Sequence, residues 1–227
     1  MTARPATTRA AGEFCWIDLK TRDVPATAAF FSAALGWTFT VDPDDWRQAT
    51  KIAVDGQWVG GVSDLASPIY PPDTPPHIAS YLAVDDVDAR TAAARQAGAE
   101  VVVPPSDVAD QGRLAAVVDP FGAGVALWQA AAFGGWTHEP GTPSAPVRMV
   151  YVGDRPAEAR LFYERVLGLR AGAAGFAAGP AATWEVAVGV PDLTVVAQRV
   201  GTSTWVADST QLHLTDPQGL RLVVVRA

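Results

Sequence analysis

The 227-residue chain has a single cysteine, Cys15, so no intrachain disulfide framework can form. It has three histidines, His77, His138 and His213, and no two have the spacing that sets two imidazoles on one ion. Only 18% of the residues are charged, with a net charge of −7, and no basic stripe is present. A nucleic-acid partner is therefore excluded, because phosphate binding needs clustered lysine and arginine. No apolar run approaches the roughly 20 residues that span a bilayer, so no membrane partner is expected. No signal-peptide pattern opens the chain, and residues 1–12 read as a mobile polar tail. Together with the lone thiol, this predicts a cytoplasmic protein. Neither a Gly-x-Ser-x-Gly elbow nor a phosphate-loop pattern occurs.

Hydrophobic residues make up 49% of the chain, enough for a real core. The sequence also carries a pattern twice. The first copy runs Asp23-Val-Pro25, Phe30-Phe31, Leu35-Gly36; the second runs Asp154-Arg-Pro156, Phe162-Tyr163, Leu167-Gly168. Each copy is followed by an Asp-Pro-x-Gly turn feeding an apolar strand, at Asp119–Gly122 and at Asp216–Gly219. A repeated supersecondary unit is the reading that follows.

Phe14 to Lys20 alternates as a strand, with Phe14, Trp16, Asp18 and Lys20 on one face. Asp23 can cap the next helix, Pro25 suits its first turn, and Gly36 ends it. Strands at 38–41, 50–54 and 58–62 complete a βαβββ module. The fold class is thus α+β, with four modules in two halves. The N-terminal half covers residues 13–130, as modules 13–66 and 77–130. Residues 131–146 read as a linker, and residues 147–227 as a shortened C-terminal half that is nearly all Ala and Gly over 171–180. Four modules can pair within one chain, so a monomer or a homodimer is feasible.

Several stretches carry a family resemblance. They are Phe14-Cys-Trp-Ile-Asp-Leu19, Leu35-Gly36-Trp37, Val84-Asp-Asp-Val-Asp-Ala89 and Asp119-Pro-Phe-Gly-Ala123, leading to Leu127-Trp128. In this order they resemble the vicinal oxygen chelate superfamily, the glyoxalase, bleomycin-resistance and ring-cleaving dioxygenase group. The resemblance implies sheets that curl into a cup around a ligand, with metal ligands in some members on the first and last strands of each module. Counting from the motifs places those positions at Trp16, Ala79 and Ala126, and in the second half at Val147, Glu185 and Val223; a fourth N-terminal position falls near Gly60-Gly61. One carboxylate is not a metal site. No metal and no cofactor is therefore expected.

The face that the resemblance turns toward the ligand offers Phe14, Trp16, Tyr81 and Trp128 as ligand-binding residues. Asp18 and His77 are the candidate catalytic pair for acid–base work. The alternatives for these residues are a cup filled by its own tryptophans, an Asp18–Lys20 ion pair, and a structural His77. The predicted function is metal-independent binding of a small apolar or aromatic metabolite in the N-terminal cup. Proton-transfer chemistry of the isomerase or lyase type (isomerisation, cyclisation or elimination) would fit it. A sequestering protein of the bleomycin-resistance kind is the alternative, and a metal-dependent glyoxalase or dioxygenase is the third reading.

Overall fold

The computed structural model describes residues 9–42, 49–200, 205–207 and 210–227. Four modules follow one another. The first holds β1 (Phe14–Thr21), α1 (Val24–Leu35), β2 (Thr38–Val41), β3 (Thr50–Val54) and β4 (Gln57–Asp64). The second holds β5 (His77–Ala83), α2 (Val87–Gln96), β6 (Glu100–Val108), β7 (Gly112–Val118) and β8 (Gly124–Ala130). The third is short, with β9 (Pro146–Gly153), α3 (Pro156–Arg165) and β10 (Gly175–Ala178). The fourth holds β11 (Thr183–Val190), α4 (Leu193–Val200), β12 (Trp205–Ala207), β13 (Gln211–Thr215) and β14 (Arg221–Arg226). The α+β architecture of tandem modules is the one expected. Two strands were not anticipated: β10 lies in the Ala/Gly tract, which has no alternation to read, and β12 is only three residues long.

Each full module closes in the same way. Its first strand pairs in parallel with its last, in the registers Asp18↔Gly61, Tyr81↔Ala126 and Ala187↔Val223. The helix between first and second strands forces that parallel return, and the remaining strands pair as antiparallel hairpins. In the third module β10 pairs in parallel with β9, Gly175 opposite Val150, and the sheet of that module goes no further.

The helix ends follow local chemistry. The Asp23 carboxylate accepts a hydrogen bond from the Ala26 N–H at 2.9 Å, and Gly36 closes α1 at φ +73°, a left-handed conformation open to glycine. The second copy keeps the glycine, Gly168 at φ +78°, but not the cap. Arg155 stands at the N-cap of α3 with no side-chain hydrogen bond, and Asp154 lies 3.8 Å from the Arg155 guanidinium.

The chain divides into two compact units that group the modules out of sequence order. Unit I comprises residues 1–16, 80–137 and 148–185, and so joins the second and third modules. Unit II comprises residues 17–79, 138–147 and 186–227, joining the first and fourth. This grouping differs from the sequence halves 13–130 and 147–227. The reading of residues 1–12 as a tail falls mostly outside the described residues. At its end, within unit I, the Gly12 N–H donates to the Ala83 carbonyl at 2.8 Å and the Gly12 carbonyl accepts from the Arg170 N–H at 2.9 Å.

One device joins the modules within each unit. In unit I, Asp119 Oδ1 accepts from the N–H groups of Phe121 and Ala123, both at 2.9 Å, which fastens its own turn. Its other oxygen accepts from the Tyr163 hydroxyl on α3 at 2.9 Å, and Trp184 Nε1 donates to that same hydroxyl at 2.8 Å. In unit II, Asp216 Oδ1 accepts from Gln218 and Leu220, and its Oδ2 accepts from the Thr27 hydroxyl on α1 at 2.7 Å. Both carboxylates are buried, at 4% exposure, where an unbonded oxygen is costly. The turn of the second module thus anchors the helix of the third, and the turn of the fourth anchors the helix of the first. Around Thr27, unit II buries Phe31, Leu35 and Trp37, and α1 packs against α4. Each such apolar side chain stabilises the fold by roughly 1.5–3 kcal/mol.

Candidate functional site

Unit I gathers three of the four predicted aromatic residues. Trp16 of β1 meets the Phe133 ring edge-on, with centroids 4.9 Å apart at 87°. Phe133 lies 6.1 Å from Trp128 of β8, and Trp128 lies 6.5 Å from Tyr81 of β5. The Trp128 indole N–H donates to the Phe133 carbonyl at 3.0 Å, which fixes the plane of the ring. Trp16 and Trp128 are buried, while Tyr81 is half-buried. Edge-to-face packing of this kind adds about 0.5–1.5 kcal/mol per pair to the area buried. Phe14 goes elsewhere in the unit: its ring sits 4.6 Å from Trp184, beside Tyr151, Tyr163 and Phe176.

Phe133 was not singled out from the sequence because it falls in the stretch read as a linker. That stretch is packed. Trp136 is buried and its N–H donates to the Cys15 carbonyl at 2.8 Å in unit I; at the other end the Trp37 indole donates to the Ser144 carbonyl at 2.7 Å in unit II. His138, also in this stretch, is buried. Tryptophan and phenylalanine within a Gly/Pro-rich run were the available signal, because a solvated linker has little use for them.

Unit II holds the polar groups. Asp18 Oδ2 accepts from the Ser63 hydroxyl at 2.7 Å and pairs with Lys20 Nζ at 2.5 Å. Lys20 Nζ also donates to Ser63 Oγ at 3.2 Å and to the Tyr70 hydroxyl oxygen at 2.9 Å, standing 4.9 Å from the centre of the Tyr70 ring. Register explains the cluster: Asp18 lies opposite Gly61 and Lys20 opposite Ser63, so alternate residues of β1 and β4 share one face. His77 begins β5, is exposed, and has a ring nitrogen 2.9 Å from the Pro75 carbonyl. None of the hydrogen bonds or ion pairs of Asp18 reaches His77.

Cys15 is fully buried, its Sγ 3.5 Å from the Tyr81 carbonyl oxygen, and burial pushes its thiol up to about 12. It stays protonated at neutral pH and does not act as a nucleophile.

The positions counted for metal ligands all fall on strands. Trp16, Ala126 and Val223 are buried there, and of the six residues only Glu185 carries a donor. Among the described residues no group of three or more His, Cys, Asp or Glu side chains is gathered on one point. The residues at these six positions do not fit a divalent ion, which needs several converging donors.

The fold agrees with comparisons to known proteins. Residues 14–127 match the Glyoxalase family, described as the glyoxalase/bleomycin resistance protein/dioxygenase superfamily. The chain belongs to that superfamily. CFP32 of Mycobacterium bovis, whose name assigns it to the glyoxylases, is 34% identical over 168 residues, 72% of this chain and 63% of that protein. The chain therefore spans less than two thirds of that relative. DnrV of Streptomyces peucetius, an anthracycline biosynthesis protein, is 34% identical over 188 residues, 78% of this chain and 68% of that one. Among solved structures, the Mn(II)-bound glyoxalase of Novosphingobium aromaticivorans superposes with a TM-score of 0.65 at 16% identity, covering 95% of this chain and 82% of that one. A substrate complex of homoprotocatechuate 2,3-dioxygenase from Brevibacterium fuscum gives 0.65 at 12% identity, covering 98% and 82%. At these identities the solved structures establish the fold alone. No described helix is long and apolar enough to cross a membrane.

Proposed function

We propose that this chain binds a small, largely aromatic metabolite against the β1 face of its N-terminal half, without a metal ion, and acts on it by proton transfer. The observation that carries the reading is the single aromatic group formed by Trp16, Tyr81, Trp128 and Phe133, together with the lack of donor side chains at the counted positions Trp16, Ala79 and Ala126. Aromatic faces with few polar groups are the common lining of sites for flat molecules. The relative named for anthracycline biosynthesis supports a polycyclic aromatic ligand. Asp18 is the proton acceptor in this reading and His77 its partner, with isomerisation, cyclisation or elimination as the reaction class.

A second reading, a protein that sequesters its ligand unchanged, draws on one observation. The Asp18 carboxylate is already neutralised by Lys20 and hydrogen-bonded to Ser63, and His77 is exposed.

The two readings separate in a single experiment. Aromatic metabolites are screened by thermal shift after dialysis against EDTA, and hits are incubated with protein in D2O and followed by NMR. The expected result is a rise in Tm that survives EDTA, because a ligand of the folded state stabilises it, with deuterium incorporation or product in the wild type. Asp18→Asn or His77→Gln then keeps the Tm shift and loses the product. Binding without conversion selects sequestration, and a Tm shift that disappears with EDTA overturns the metal-free reading.

A further inference from the structure

Unit I holds a second aromatic group, beside α3. Tyr151 of β9 and Phe176 of β10 are cross-strand partners, and their rings stack at 5.6 Å and 30°. Trp184 lies 5.5 Å from Tyr151, and Tyr163 of α3 lies 5.9 Å from it. The polar side chains here close on one another, with one exception. The Tyr163 hydroxyl donates to Asp119 and accepts from the Trp184 indole, and the other Asp119 oxygen is spent on its own turn. Tyr151 is fully buried, and its hydroxyl has no hydrogen-bond partner among the described residues. Phenylalanine would fill the same space without a dry O–H. The hydroxyl therefore costs stability that nothing in the cluster offsets, and a group from outside the chain is the remaining partner.

Two neighbours shape the place beside that hydroxyl. Gly153, two residues further along β9, leaves it room: a Cβ there would stand 2.8 Å from Tyr151 Cε1 and 3.1 Å from the hydroxyl oxygen. Phe176 covers the face of the ring. It is the one aromatic residue of 171–182, and it is half-buried while Phe14, Tyr151, Tyr163 and Trp184 are buried. Its strand has four residues, is the outer strand of its sheet, and lies in alanine and glycine. Turning the Phe176 side chain outward breaks no hydrogen bond and uncovers Tyr151.

We infer that Tyr151 and Phe176 form a closed site for a neutral aromatic ketone or aldehyde of one or two rings. The ligand ring takes the place of the Phe176 ring on Tyr151, which sets its size. Its carbonyl oxygen accepts from the Tyr151 hydroxyl. Burial, and after it the negative charges of Asp119 and Asp154, push that hydroxyl up to about 12, so it is a donor at neutral pH. The same two carboxylates disfavour an anionic acceptor. This site shares no residue with the group of Trp16, Tyr81, Trp128 and Phe133, so it holds or fails independently of the function proposed above.

The test uses 1-indanone and indane, planar probes that differ by one carbonyl, with affinities measured by calorimetry on the full chain. Phe176→Ala removes the ring that competes with the ligand. It is expected to bind 1-indanone about tenfold or more tightly than the wild type, because the open state no longer has to be populated first. Adding Tyr151→Phe to that variant keeps the ring and removes only the donor. The double variant is expected to lose about fivefold in affinity for 1-indanone, the equivalent of one net hydrogen bond, while indane stays within about twofold. Cooperative melting curves confirm that the variants are folded, and Phe176→Leu replaces Phe176→Ala if the alanine variant does not melt cooperatively. An affinity for 1-indanone unchanged by the Phe176 substitution, equal effects of Tyr151→Phe on both probes, or no binding of 1-indanone to the Phe176 variant each overturns the inference.

Discussion

In unit I the Asp-Pro-x-Gly turn holds its helix through a phenol, and in unit II it does so through a threonine. Asp119 and Asp216 each spend one carboxylate oxygen on their own turn and the other on a helix from a different module. The surroundings differ. Tyr163 is backed by the Trp184 indole and by Tyr151 and Phe176, whereas Thr27 is backed by the Thr21 hydroxyl at 2.8 Å. The carboxylate needs only a buried donor in the right place. The two copies of the turn therefore share the aspartate and the glycine and differ in the partner, a tyrosine for Asp119 and a threonine for Asp216. A cap, by contrast, is local and exposed, and it was kept at Asp23 but not at Asp154.

Substitutions can break this parallel. Tyr163→Phe should have the largest effect. It leaves a buried carboxylate oxygen and the Trp184 N–H without partners, and neither can turn away, so a loss of about 3 kcal/mol is expected in urea denaturation. Thr27→Val is nearly isosteric and removes the matching donor in unit II. The Thr21 hydroxyl can rotate to another acceptor, so the expected cost is smaller, about 2 kcal/mol by the same measurement. A larger loss for Thr27→Val than for Tyr163→Phe would show that the aromatic backing of unit I carries the joint, and not the hydrogen bond.

Tyr151→Phe sharpens the comparison from the other side. Tyr151 is fully buried with its ring 5.9 Å from Tyr163, yet its hydroxyl has no hydrogen-bond partner among the described residues. Burial raises that hydroxyl to about 12, so it remains protonated. Removing it should leave stability unchanged or raise it by up to about 1 kcal/mol, because no bond is lost and a desolvated polar group disappears. Two neighbouring tyrosines thus give opposite outcomes for the same substitution. A cost above about 1 kcal/mol for Tyr151→Phe in the same denaturation series would show that a bound water or ligand atom normally meets that hydroxyl.

Much of the fold was legible in local pattern. The strands at 38–41, 50–54 and 183–190, the Asp23 cap and the terminating Gly36 follow from alternation and capping chemistry, and the structure has them at those residues. The tract around β10 was not legible, because alanine and glycine carry no periodicity. The stretch containing Phe133 and Trp136 was masked by its glycines and prolines. For the candidate site, alternation set Trp16 on one face with Asp18 and Lys20; in the structure Trp16, Tyr81 and Trp128 share one aromatic group through Phe133, and Asp18 lies beside Lys20. Phe14 was assigned to that group by alternation alone, but it packs against Trp184. Within one strand every second side chain has the same direction, but its neighbour is chosen by other elements.

The linear chain alone carries the module type and the motifs of the superfamily, and it has no donor side chain at the counted positions Trp16, Ala79, Ala126, Val147 and Val223, because each depends only on residue identity and spacing. Which modules share a compact unit was settled by folding, and so was the assembly of Ser63 and Tyr70 around Lys20. Those outcomes depend on side chains 45 and 50 positions apart meeting at hydrogen-bond distance. Local propensity has no information at that range, and the pairings form only when strand register and buried carboxylates leave no other partner within reach.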